Sequence, residues 1–376
     1  MRILVLIHEY PPVGGGGGQV AQDICRGMVE RGHEVQVLTA GWGGLARQEQ
    51  QEGVLVHRLS SGRSTPYKAG LKAMAGFVLA SFWSGFGLIR RWKPDLIHVH
   101  FAVPGGAAAL ALSGLTGVPY VLTVHLGDVP GGVPEKTGKW FHWIYPFTPP
   151  IWKRARQVVA VSEFTRQLAL QRYAVSINVI PNGVDTQKLK PAVIQAGEPP
   201  RLIFAGRFAP QKNLIQLVRI LASLKDLPWG CVLVGDGPLR GDVEREIDEH
   251  GMRDRFTLTG WVTPSEVQEW FRKSDILFMP SLSEGLPVVG VQALSLGLAI
   301  VAGRVGGFID LVEQGVNGFL FNTNRPEDGI SFLRRLLSDR QCLQTARQAS
   351  RQMASKFDLK EIIDQYEMVF EKVITG

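Results

Sequence analysis

Cysteine is scarce, at three residues in 376: Cys25, Cys231 and Cys342. The number is odd and the spacing unpaired, which argues against a disulfide framework or a cysteine-based zinc site and fits a reducing cytoplasm. Charge is modest at 20% of residues and mean hydropathy is near neutral, yet 45% of residues are hydrophobic, which excludes a wholly disordered chain. No strongly apolar run of about 20 residues occurs. The nearest approach, Ala73 to Ile89, is interrupted by Gly76, Ser81, Ser84, Gly85 and Gly87. The opening MRILVLIHEYPP lacks the long apolar region and small-residue cleavage site of a secretory signal, and is expected to be a buried first strand. Short-period repeats are absent, and Gly14–Gly18 is the one low-complexity patch. No stretch interleaves aromatic and basic residues as nucleic-acid modules do, so no nucleic-acid partner is expected. The expectation is a soluble or peripheral protein.

What is present is unevenly distributed. Residues 1–190 carry 20 Lys and Arg against 11 Asp and Glu, a net +9, whereas residues 191–376 carry 21 against 23, a net −2. A basic front half suits a phosphorylated substrate or an anionic membrane. Short apolar runs alternate with helix-length segments twice over. In the first half, Ile3–Ile7, Glu34–Thr39, Val54–Leu59, Leu96–Val99, Tyr120–Val124, Gln157–Val161 and Asn178–Ile180 read as strands. Gln19–Arg31, Lys68–Arg91 and Gly105–Leu115 read as helices between them. In the second half the strands are Arg201–Ala205, Gly230–Val234, Phe256–Thr259, Ile276–Met279 and Ala299–Val301, with helices such as Leu214–Leu224, Leu239–His250, Pro264–Arg272 and Pro287–Leu296. After Phe321 the pattern turns helical to the end, closing on Phe357–Ile374. Such alternation predicts α/β architecture with two doubly wound parallel sheets. The expected domains are 1–185, 186–355 and a terminal helix, 356–376, packing back on the first.

Open parallel sheets bind ligands beyond the carboxyl ends of their strands, so the loops there carry the chemistry. The first, EYPPVGGGGG at Glu9–Gly18, brings backbone amides and a helix N-terminus toward an anion, unless it is simply a flexible loop. Gly16, Gly18 and Ala21 satisfy a dinucleotide fingerprint. However, the loop is too long for that turn, and the second strand ends Leu38-Thr39-Ala40 without the ribose-binding acid, which disfavours a nicotinamide cofactor. In the second half, Gly206-Arg207 and Lys212 put two cations at a strand's end, suited to a diphosphate. Gly235 opens the next turn, Val234-Gly235-Asp236-Gly237-Pro238. Ser283-Glu284-Gly285-Leu286-Pro287-Val288-Val289 then places a carboxylate before the amides that open a helix, a set able to hold phosphate or sugar oxygens. Arg304-Val305-Gly306-Gly307 adds a further glycine turn.

Taken in order, G-R-x(4)-K, G-D-G-P, S-x-S-E-G-x-P, V-G-G and N-G-F resemble the retaining glycosyltransferases of family 4, with the GT-B fold of two Rossmann-like domains facing a cleft. The likeness covers essentially the whole chain, including Pro181–Asp185 and the terminal helix. It implies a hexosyltransferase that uses a UDP- or GDP-sugar and a hydroxyl acceptor, glycan or lipid-linked, in cell-envelope glycan synthesis. Arg207 and Lys212 would meet the diphosphate and Glu284 the sugar hydroxyls. His125 would lie near the sugar, and Gly16 would approach the phosphate or acceptor. Gly206, Gly235, Gly285, Leu286, Pro287, Val288, Val289 and Gln292 would line the donor site. Two positions depart from the family pattern: its second acid, which meets the ribose, is Gln292, and the glycine after its lysine is Asn213, a residue able to cap the following helix. No Asp-x-Asp pair is present, so the expectation is no metal and no cofactor, with leaving-group charge met by Arg207, Lys212 and amides. The rivals are a non-catalytic nucleotide-sugar-binding module on the same fold and a sugar-nucleotide epimerase or phosphorylase.

One segment supports two readings. Lys68, Lys72, Arg90, Arg91 and Lys93 surround Phe77, Phe82, Trp83 and Phe86, and aromatics recur at Trp140, Phe141, Trp143, Tyr145, Phe147 and Trp152. These belong either to ordinary sheet-covering helices or to a peripheral docking face for anionic lipid.

Overall fold

The computed structural model describes residues 1–65, 69–133 and 141–376; Lys68, Trp140 and the side chain of Phe141 lie outside the described residues. The chain forms two compact units, Met1–Asn182 with Leu359–Gly376, and Gly183–Asp358.

The first unit contains β1 (Arg2–Leu6), β2 (Glu34–Ala40), β3 (Gln48–Gln51), β4 (Val54–Leu59), β5 (Leu96–His100), β6 (Tyr120–Val124), β7 (Gln157–Ala160) and β8 (Ile177–Val179), in the order β3-β4-β2-β1-β5-β6-β7-β8. Every pairing is parallel except β3 with β4. β5 and β6 are buried along their whole length, because helices cover both faces of the sheet, which is why they read as unbroken apolar runs. β3, the sequence QEQQ, has no apolar alternation, and sequence reasoning missed it. It can be polar because it is an antiparallel edge strand with alternate residues exposed.

The second unit contains β9 (Arg201–Ala205), β10 (Gly230–Val234), β11 (Phe256–Gly260), β12 (Ile276–Met279), β13 (Ala299–Gly303) and β14 (Gly318–Phe321), in the order β11-β10-β9-β12-β13-β14. β14, also missed, has only four residues. The strand order reverses direction beside β1 and β5 in one sheet and beside β9 and β12 in the other. A doubly wound sheet opens a ligand crevice at that switch point.

Helix boundaries shift by a few residues from expectation. The first helix is Gly16–Glu30, so three glycines of the expected loop form its opening turn. The segment expected at Lys68–Arg91 is the 22-residue helix Leu71–Trp92. It is long and apolar enough to cross a membrane by length and composition, despite its internal glycines. In this fold it lays Ala73, Phe77, Ser81, Gly85, Leu88 and Ile89 against the sheet. The terminal helix, Leu359–Thr375, belongs to the first unit: Ile363 fits over Gly27, and Tyr366 Oη lies 3.3 Å from Thr123 Oγ1.

Candidate active site

At the switch point of the second unit, the loop after β9 and the loop after β12 are tied together. Gln211 accepts from Leu282 N–H at 2.8 Å and donates Nε2 to the Ser283 carbonyl at 2.5 Å. This brings Lys212 Nζ to 2.6 Å from Glu284 Oε1, with the two side chains 19% and 7% exposed. The expected diphosphate cation and the expected sugar acid are therefore ion-paired. An ammonium has three N–H donors, and the contact with Glu284 uses one. Arg207 is exposed on the same loop.

Glycines make this packing feasible. At Gly235 (φ +127°) a Cβ would sit 2.1 Å from the Gly206 carbonyl oxygen, so the turn after β10 lies directly on the Arg207 loop. Phe208 N–H donates to the Asp236 carbonyl at 2.8 Å across the same contact. On the Glu284 side, Gly306 has φ +54°, and a Cβ there would fall 1.5 Å from the Glu284 carbonyl oxygen. Gly307 N–H donates to the Gly285 carbonyl at 2.5 Å. The Val305-Gly306-Gly307 turn thus acts as a backbone clamp on the acid's own loop.

Leu286 and Pro287 are buried at the helix entry, and Pro287 is the N-cap of Val288–Ser295. Val288, Val289 and Gln292 are half-buried on that helix. Asn213 makes no side-chain cap. It adopts φ +55°, the left-handed conformation a glycine would take, and donates Nδ2 to Gln216 Oε1 at 2.7 Å. The substitution therefore preserves the turn, Asn being among the side chains that tolerate this region.

In the first unit, Gly16 opens the first helix, and Gly17 and Gly18 lie against residues of the segments that follow β1, β5 and β6. A Cβ on Gly18 would be 2.8 Å from the Glu9 carbonyl oxygen, and one on Gly17 would be 2.7 Å from the Phe101 ring and 3.6 Å from His125 Cε1. His125 follows β6, and its backbone N–H donates to Asp128 Oδ2 at 2.9 Å. Phe101 stacks on its ring at a centroid distance of 4.3 Å and meets His8 edge-on at 4.9 Å. Phe101 has φ +71°, a strained value for a bulky residue, of the kind that collects at functional sites.

Behind His125 lies His100, with His125 Nε2 3.5 Å from His100 Nδ1, and then His98, which pairs with Thr123 Oγ1 at 2.9 Å. Burial keeps both inner histidines neutral, lowering His98 to about 3 and His100 well below its usual value. Sequence reasoning missed Phe101 and His100. The available signal was His98-x-His100, two residues of one strand that share a face.

Two family models match the chain consecutively: Glycosyltransferase Family 4 over residues 14–188 and Glycosyl transferases group 1 over residues 185–353. The chain is 29% identical over 345 residues to the 2-deoxystreptamine glucosyltransferase of Streptomyces kanamyceticus, covering 84% of this chain and 88% of that one. Among solved structures it resembles sucrose-phosphate synthase from Thermosynechococcus elongatus, with a TM-score of 0.87, 19% identity and coverage of 99% and 98%. It also resembles HepE of Anabaena, solved in complex with UDP-glucose, with a TM-score of 0.78, 21% identity and coverage of 99% and 100%. With both family models matched in order across nearly the whole chain, and the switch-point loops placed as that fold requires, the protein belongs to the family 4 glycosyltransferases of the GT-B fold.

Proposed function

We propose that this glycosyltransferase moves a hexose from a UDP-sugar, with GDP-sugars as the alternative, to a hydroxyl of a glycan or lipid-linked acceptor in cell-envelope glycan synthesis. It does so with retention of anomeric configuration, in the cytoplasm, and without a metal or cofactor. The observation that carries the reading is the Lys212–Glu284 pair at 2.6 Å, set at the switch point beside exposed Arg207 and the opening amides of Val288–Ser295. A nucleotide sugar presents two needs at adjacent atoms, anionic phosphate oxygens and neutral hydroxyls, and a cation–carboxylate pair meets both. HepE's complex with UDP-glucose supports uridine as the base.

In this reading the acceptor hydroxyl approaches C1 from the face that the diphosphate leaves. The C1–phosphate oxygen bond breaks as the new C1–oxygen bond forms, and the hydroxyl proton passes to the departing phosphate. Arg207 and Lys212 offset the charge that develops there, an electrostatic contribution that needs no reorganisation during the reaction. Glu284 accepts hydrogen bonds from the hexose hydroxyls.

The test is nucleoside diphosphate release from a panel of UDP- and GDP-hexoses, with and without glycan acceptors, in EDTA, followed by assignment of the product anomer by NMR. Acceptor-dependent UDP release with an unchanged anomer is expected. Release that requires added magnesium or manganese, an inverted anomer, or no release with any donor would each overturn the corresponding part.

A further inference from the structure

We infer that one face of the first unit is a docking surface for an anionic lipid bilayer. Three helical segments lie side by side there: Leu71–Trp92 packs against Ala107–Thr116, which packs against Pro149–Arg154. Only 28% of the most apolar window of Leu71–Trp92 is buried, so this is not a core helix. Leu71, Ala75, Leu79 and Trp83 are exposed along it, Trp83 at 70%, with Lys72 exposed near one end and Arg90 and Arg91 at the other. Phe82 is partly buried, stacks with Phe86 and meets Trp83 edge-on, and Arg90 lies 4.8 Å over the Phe86 ring.

The neighbouring helix Ala107–Thr116 carries no charge, and its Leu115 is 66% exposed. Ahead of the third segment, Trp143 and Phe147 are 81% and 74% exposed, and Lys153 and Arg154 follow. Every exposed position of the three segments is apolar or cationic. From Gly53 to Ser162 the sequence holds 12 Lys and Arg against three acids, Asp95, Asp128 and Glu135. Of the two acids that are described, Asp128 is 2% exposed and Asp95 accepts from Arg2 N–H at 2.6 Å. The exposed acid Glu34 accepts from Trp92 Nε1 at the C-terminal end of Leu71–Trp92.

The charge pattern selects the occupant. A second copy of this chain would bring an equally basic face against it, like charge on like, whereas an anionic leaflet offers complementary charge and an apolar interior together. Indole and phenyl rings flanked by Lys and Arg are the side chains that settle at the headgroup level. This inference does not rest on the transferase reading, since binding needs neither donor nor acceptor.

The experiment is co-sedimentation of the full chain with vesicles of phosphatidylcholine alone and of phosphatidylcholine with 40% phosphatidylglycerol, at low and high salt, alongside sedimentation velocity without lipid. Binding to the anionic vesicles, weakened by salt, is expected. Arg90→Ser with Arg91→Ser should lower partitioning about fivefold per charge removed. Leu79→Ser with Trp83→Ser should lower it at least about tenfold, with an unchanged melting temperature, since both side chains lie outside the core. Binding to neither vesicle, equal binding to both, or a dimer of the free protein that Leu79→Ser with Trp83→Ser dissolves would each overturn the inference.

Discussion

Arg207 and Lys212 look equivalent as two cations on one loop, yet their surroundings separate them. Arg207 is exposed, whereas Lys212 neutralises a carboxylate that is 7% exposed. Both Arg207→Ala and Lys212→Ala should lower kcat by at least about a hundredfold, the scale of removing one anion-stabilising donor. Only Lys212→Ala should also destabilise the fold, by about 1–3 kcal/mol, because it strands the Glu284 carboxylate. Steady-state kinetics and urea titration of the two variants read these separately, and equal stability losses would contradict the pairing. Gln292 has one carbonyl acceptor where a carboxylate has two charged oxygens. Gln292→Glu should therefore lower the donor KM about threefold to thirtyfold, or about 0.7–2 kcal/mol, the gain from charge-assisted hydrogen bonds to ribose. Donor titration at fixed acceptor checks this, and weaker donor binding would mean that the amide donates to the nucleotide instead. The loops that carry Gly206, Lys212 and Glu284 were legible because each follows an apolar strand, β9 or β12, in a recognisable local pattern. Phe101 was not, since nothing in LIHVHF marks the one residue whose backbone turns to positive φ.

Among elements, β5 carries a hidden pH dependence. A histidine whose folded pKa lies below its unfolded value of about 6.5 takes up its proton mainly on unfolding. The stability that His98 contributes is therefore complete above about pH 6.5 and falls as pH drops, down to its folded value of about 3. The slope is about 1.4 kcal/mol per pH unit, so His98 alone should account for a loss of about 2 kcal/mol between pH 6.5 and 5. Urea midpoints across that range should show the decline, and His98→Gln should flatten it; parallel slopes would contradict a buried neutral imidazole.

In the second unit the corresponding structural element is Arg347 on the helix Arg340–Met353. It pairs with Asp275 just before β12, donates Nε to the Gly297 carbonyl at 2.8 Å and Nη1 to the Gln195 carbonyl at 2.7 Å. Asp275 in turn accepts from Gly197 N–H at 3.0 Å and Arg201 N–H at 2.8 Å. Both side chains are under a tenth exposed, so Arg347→Ala should cost about 3–5 kcal/mol through the uncompensated carboxylate it leaves. Chemical denaturation tests this, and a loss under about 1 kcal/mol would mean that water replaces the guanidinium.

For the whole molecule, the first unit is completed by the last 18 residues of the chain. Ile362, Ile363, Tyr366, Phe370 and Val373 are buried there. At about 1.5–3 kcal/mol each, their burial is worth on the order of 8–15 kcal/mol as an upper bound, comparable to the full stability of a domain. A chain ending at Asp358 should therefore lose the cooperative melting of the first unit and expose His98, against which Tyr366 and Phe370 pack at 5.4 and 5.0 Å. Calorimetry of the truncated chain decides this, and an intact first transition would refute it.

What the sequence determined by itself is whatever local pattern encodes. Apolar runs of strand length separated by amphipathic segments specify parallel sheets covered on both faces, and glycines or cations at strand ends mark the loops that bind. A polar edge strand such as β3 escapes that logic, because its place comes from pairing with β4 and not from a buried face. Only the tertiary structure decided which loops meet. Lys212 and Glu284 are 72 residues apart, and they pair because β9 and β12 are neighbours where the sheet reverses its winding. The pair, the three-histidine row behind Phe101 and the return of the terminal helix all depend on contacts between distant segments. Their free energy arises only once chain entropy has been spent on closing long loops, and no local propensity records it.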